Sequence, residues 1–216
     1  CLPDTAGFCL PTEYGKLFSS IKKYIGSAPI LLSAHCHNDL GLATINTISA
    51  IEAGADQVEC TINGIGERAG NTPMEEVAAI MHLKYKDVYS NDINLKYFKE
   101  TSSTLENIIN IETHFNKPLF GKNAFLHSSG MHQKAIIRNK ETFEVINAEE
   151  FGIEGGKISI GKLSGIAGLE NYLDKINIKL DSNELKKLMV LIKKEAINIK
   201  QFDKNTIQKI LQKLKS

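Results

Sequence analysis

Pro29-Ile30-Leu31-Leu32-Ser33-Ala34-His35-Cys36-His37-Asn38-Asp39 is the stretch from which the rest of the chain can be read. It opens apolar and ends polar, and Gly41 and a helical pattern through Ala55 follow. A short apolar run bounded by turn residues reads as a buried strand. A strand leading at once into a helix is half of a crossover unit. The expected strand covers Ile30 to His37. Alternate side chains of a strand share a face. His35 and His37 therefore point one way, and Ala34, Cys36 and Asn38 the other. Two imidazoles so placed near a strand's C-terminal end can grip one divalent ion. The plain alternative is an incidental His-x-His pair, but two unpaired imidazoles on a buried strand are costly.

The same strand-helix alternation extends both ways. Cys1 to Gly7 reads as a strand end and its loop, with Asp4 and Thr5 as polar groups there. Pro11 suits a first helical turn, and Leu17, Phe18, Ile21 and Ile25 give helical spacing. Asn38 or Asp39 can cap the helix after the histidines, and Gln57 to Thr61 is a further short strand. Alternating strands and helices imply a parallel sheet, whose chemistry collects at the strands' C-terminal ends. Asp4-Thr5, His35-x-His37 and the segment after Thr61 all fall at such ends.

That segment is Ile62-Asn63-Gly64-Ile65-Gly66-Glu67-Arg68-Ala69-Gly70-Asn71. Its glycines permit tight turns and close approach to a ligand. Their spacing does not fit a dinucleotide fingerprint. Thr72, Pro73 and Glu75 look like a capping box opening a helix that runs to about Tyr89. Asn71 sits just before it. Its amide oxygen can join a metal shell, directly or through water, or serve only to shape the loop.

The alternation stops after that helix, so the expected domains are 1–90 and 91–216, with the boundary near Asn91. Asn94 to His114 reads as a helix. Asn123 to Gln133 mixes His127, Ser128, Ser129, Gly130 and His132 into an apolar frame. It is either a site loop or a capped helix start with incidental histidines. Ile158 to Gly165 reads as strand and turn, with Ser164 as a helix cap. Asp181 with Glu184 forms a capping box, and Asp203 precedes a last amphipathic helix.

Bulk composition narrows the classes. The chain has 216 residues, 42% hydrophobic and 24% charged, with net charge +1. Such a balance supports a sizeable core and gives no electrostatic case for nucleic acid. No apolar run reaches membrane-spanning length, and no signal-peptide pattern opens the chain. The four cysteines lack paired spacing, so reduced thiols and a cytoplasmic location are expected. A start at Cys1, already at a strand end, leads us to expect a fragment of a longer protein.

Leu2 to Gly7, His35 to Gly41, Asn63 to Asn71 and His127 to Gln133, in that order, resemble the 2-isopropylmalate synthase family, a group that includes homocitrate and citramalate synthases. The resemblance implies an α/β fold. It would be a partial TIM barrel (the last three βα units) followed by mostly helical subdomains. It implies condensation of acetyl-CoA with a 2-oxo acid, here 2-oxoisovalerate, in leucine biosynthesis. It implies a divalent metal ion (Mn, Mg or Zn) on His35 and His37 with Asn71 nearby. Thr5 would bind the substrate carboxylate, Gly64 and Gly66 would leave room for the coenzyme chain, and His132 would be the catalytic acid-base group. A homodimer with subdomain exchange is implied as well. An N-terminal Arg-Asp pair, whose aspartate completes the family's metal site, has no counterpart here. The chain departs from the family at Cys60, where glycine is expected, and at Lys134, where aspartate is expected.

Overall fold

The structure, a computed structural model, describes residues 1–89, 93–199 and 202–215. Two compact units divide the chain. One holds residues 1–113 with 118–120, the other residues 114–117 with 121–216. The expected boundary at Asn91 lies outside the described residues. By compactness, the helix α4 (Phe98–Ile109) belongs with the first unit.

In the first unit, β1 (Leu2–Asp4), β2 (Ser33–Cys36) and β3 (Gln57–Glu59) form a parallel sheet in the order β1-β2-β3. Helices α1 (Pro11–Ile25) and α2 (Ala43–Glu52) join successive strands, and α3 (Met74–Lys84) follows β3. This is the expected mixed α/β alternation. Ala34 and Cys36 face the helices and pack fully buried with Tyr14, Phe18, Ala43 and Ala50. Tyr14 also anchors α1 to the sheet, because its hydroxyl donates to Leu2 O at 2.5 Å. Pro11 opens α1 as expected, and Glu13 closes the turn by accepting from Leu10 N at 2.8 Å.

Several local expectations are corrected. α3 ends at Lys84 rather than near Tyr89, the helix expected over Asn94 to His114 covers Phe98–Ile109, and Leu42 is the N-cap of α2, although Asn38 Oδ1 accepts from Ala43 N. The strand is shorter than Ile30 to His37, with Ile30 and Leu31 outside it and exposed. Asp56 takes their place in the hydrogen bonding, accepting from Leu32 N and donating its own N–H to Leu32 O. The capping box at Thr72 does not form. Pro73 is the N-cap and α3 starts at Met74. Thr72 is fully buried, its hydroxyl 2.9 Å from that of Thr47, and the Glu75 carboxylate accepts from Asn63 N at 3.1 Å. Tertiary partners outbid the local cap.

The second unit contains a two-stranded parallel pair, β4 (Leu126–His127) with β5 (Lys157–Ile158), beside α5 (Gly130–Arg138). Its core lies among α6 (Ile166–Lys175), α7 (Ser182–Glu195) and α8 (Lys204–Lys215), where Leu169, Leu173, Leu188, Ile192 and Ile207 are buried. The Asp181 cap forms as expected, accepting from Asn183 N and Glu184 N while Glu184 reaches back to Asp181 N. Ser164 is no cap. Its hydroxyl faces Ser128 O and Ser159 O, and Gly165 precedes α6. Among the described residues no helix is long and apolar enough to cross a membrane.

Candidate metal centre

Because the three strands run parallel, their C-terminal ends open on one edge of the sheet. His35 lies in β2, and His37 just past it pairs with Asn71 through a single antiparallel bridge. The loop over 62–71 thus folds back across the end of β2. Its clasp is made by backbone bonds from Asn38 N to Gly70 O and from Thr72 N to Cys36 O.

The two imidazoles do share a face. Their ring centroids are 5.1 Å apart and the Nε2 atoms 3.3 Å apart. Either one Nε2–H donates to the other ring, or both lone pairs converge on a cation. Two nitrogens held about 2.05 Å from one ion at a tetrahedral angle stand roughly 3.3 Å from each other. The donor set and its spacing therefore fit a divalent ion. His37 Nδ1 and Asn71 Oδ1 are buried without a hydrogen-bond partner. Asn71 stands against Gly66, where an added Cβ would lie 2.7 Å from its amide. Among the described residues no group of three His, Cys, Asp or Glu is placed to hold a metal, so a third strong ligand is not supplied by this set.

The remaining expected residues divide into two groups. Thr5 is exposed at the end of β1, and its carbonyl accepts from Arg68 Nη2 at 2.6 Å. Gly64 adopts φ 69°, and a Cβ there would meet Asn71 O at 3.0 Å and Pro73 Cγ at 2.9 Å. The smallness of Gly64 and Gly66 is thus already used inside the loop, seating Asn71 and Pro73. In the second unit, the His132 ring stacks on Phe143 at 4.1 Å between centroids, tilted by 18°.

Several residues take roles in the structure that the sequence reading did not assign to them. Arg68 grips Asp39 through Nε and Nη2 at 2.8 and 3.0 Å while also holding Thr5 O, so one side chain ties all three strand-end loops together. The Arg68 guanidinium holds the Asp39 carboxyl below the usual carboxylate range. Asp4 is buried and accepts from Phe8 N and Cys9 N, which closes the β1 loop. Burial pushes the Cys60 thiol up to about 12, aided by neighbouring Cys36, Glu75 and Glu59. His127 Nε2 meets Glu144 Oε1 at 2.9 Å. Gln133 is fully buried and donates to His127 O and Ser159 O, so the motif around it is partly a structural knot.

The HMGL-like family matches residues 1–105, and the family described as homocitrate synthase post-HMGL domain-like matches residues 119–200. The 2-isopropylmalate synthase of Geobacillus thermodenitrificans is 43% identical over 198 residues, covering 90% of this chain and 38% of that protein. The chain belongs to the 2-isopropylmalate synthase family. The family's enzyme from Campylobacter hominis is 44% identical over 188 residues, covering 85% of this chain and 37% of that protein. The chain thus spans less than two-fifths of the length of these curated family members. Among solved structures, an HMG-CoA lyase from Acinetobacter baumannii in complex with coenzyme A and 3-methylmalate is 24% identical, aligned over 52% of this chain and 37% of that one with a TM-score of 0.45.

Proposed function

We propose that the whole protein condenses acetyl-CoA with 2-oxoisovalerate and that water then hydrolyses the thioester, releasing coenzyme A and 2-isopropylmalate, a step of leucine biosynthesis. In this reading residues 1–90 are the last three βα units of a TIM barrel, and residues 91–216 are linker subdomains. The observation that carries it is the pair of Nε2 atoms 3.3 Å apart at a strand end, with the unpartnered Asn71 Oδ1 in the loop that crosses it. Similarity to the curated synthases supports the choice of reaction.

A divalent ion, when bound, supplies Lewis-acid polarisation of a keto oxygen. His35 and His37 would hold it, with Asn71 beside them. Thr5, on a loop pinned by Arg68, hydrogen-bonds the substrate carboxylate. Gly64 and Gly66 keep the loop low where the coenzyme passes. His132 removes or returns a proton as the acid-base group. Its place in the second unit fits a subdomain exchanged within a homodimer, the cytoplasmic form we propose. The match of residues 119–200 to a homocitrate synthase-like domain supports homocitrate as an alternative product. Citramalate, or a non-catalytic remnant of such an enzyme, is the remaining alternative.

The test separates two roles in the whole protein. His35→Ala should lose bound metal and turnover together, by metal analysis and coupled assay. His132→Ala should keep metal and 2-oxo acid binding but lose turnover. Normal metal content in His35→Ala removes it as a ligand, and normal turnover in His132→Ala removes it as the base.

A further inference from the structure

The face of β2 that bears the histidines bears one more polar group, and the neighbouring strand adds a carboxylate. Ser33, His35 and His37 alternate along the chain, so they share a side. The parallel register sets Glu59 opposite His35. Ser33 Oγ donates to Glu59 Oε1 at 2.8 Å. The other oxygen, Oε2, lies 3.1 Å from His35 Nδ1. Nδ1 makes no aligned hydrogen bond there, so the contact is electrostatic. A carboxylate beside one ring nitrogen still favours the tautomer that puts the proton there. The opposite nitrogen, Nε2, then keeps its lone pair, and it is Nε2 that faces His37.

We propose that Glu59, steadied by Ser33, is a positioning residue that fixes His35 as its Nδ1–H tautomer and presents Nε2 to the cation shared with His37. This rests on the metal reading given above. A carboxylate behind a metal-binding imidazole orients the ring and raises its basicity, and losing one typically weakens metal binding by about 10–100-fold. The Glu59 side chain is 41% exposed, so solvent screens part of this electrostatic contact.

The experiment uses the full chain and two readouts besides activity. At a pH where imidazoles are neutral, long-range 1H–15N spectra report the His35 tautomer. Nδ1–H is expected in the unaltered chain, with a shift toward Nε2–H in Glu59→Ala. Zn2+ affinity by chelator competition should fall about 10–100-fold in Glu59→Gln, with partial recovery in Glu59→Asp. Ser33→Ala, which loosens Glu59 without removing it, should lie between Glu59→Gln and the unaltered chain. An unchanged tautomer in Glu59→Ala, or unchanged Zn2+ affinity in Glu59→Gln, overturns the role. So does equal loss in Glu59→Gln and Glu59→Asp, which would trace the loss to packing. His35→Ala separates the two claims. Full Zn2+ binding there defeats the metal reading itself. Lost binding there, with full binding in Glu59→Gln, leaves that reading standing and removes only Glu59.

Discussion

At the residue scale, side chains at the strand ends divide between chemistry and bracing. Arg68 is a brace, and its effect on Asp39 can be measured. The folded-state pKa of Asp39 is lowered, chiefly by hydrogen bonds from Arg68. Its contribution to stability is therefore present above the unfolded value of about 3.9 and is lost as pH falls through the lower folded value. Arg68→Ala should return Asp39 toward its ordinary value in a carboxyl 13C NMR titration. A titration curve that does not move would mean that backbone contacts, not Arg68, set it. Gln133 is a brace of another kind. Its amide serves the carbonyls of His127, Ser128 and Ser159 from a fully buried position. Gln133→Leu strands those acceptors, and each buried unmet group costs about 1–3 kcal/mol. A loss of about 2–4 kcal/mol is expected in urea unfolding. A loss below about 1 kcal/mol would show that the knot repacks without it.

At the element scale, helix starts tell two different stories. The Asp181–Glu184 box forms at an exposed Asp181 and a half-buried Glu184, whose side chains both bond within the first turn of α7. Asp181→Ala should cost about 1 kcal/mol by thermal or urea melting. No measurable cost would mean that α7 is held by packing alone. The Thr72–Glu75 pattern reads equally well in sequence, yet both residues are buried and bonded to other parts of the unit. Spacing alone cannot distinguish an exposed cap from a buried polar pair. The His35–His37 pair was legible because strand period is local. The Glu59–His35 contact was not, because it depends on the register of two strands joined through α2.

At the scale of the whole molecule, the sheet of the first unit ends, among the described residues, at β1 on one side and β3 on the other. Three strands do not close an eight-stranded barrel, and open edges invite further pairing. The second unit buries its own helical core around Leu169, Leu188 and Ile207. The 216-residue chain taken alone is therefore expected to show no turnover with acetyl-CoA and 2-oxoisovalerate in a coupled assay. Any turnover would show that these residues suffice for catalysis.

Local chemistry in the chain was enough to establish the alternating elements, the pairing of two imidazoles on one strand face and the family, because each depends on residues a few positions apart. The division into units near residue 114, the burial of Glu75 and Gln133, the clasp of Arg68 on two other loops and the carboxylate behind His35 depended on the folded chain. Those features arise where segments distant in sequence compete for the same hydrogen-bonding groups, and only their positions in space determine which partner is nearer.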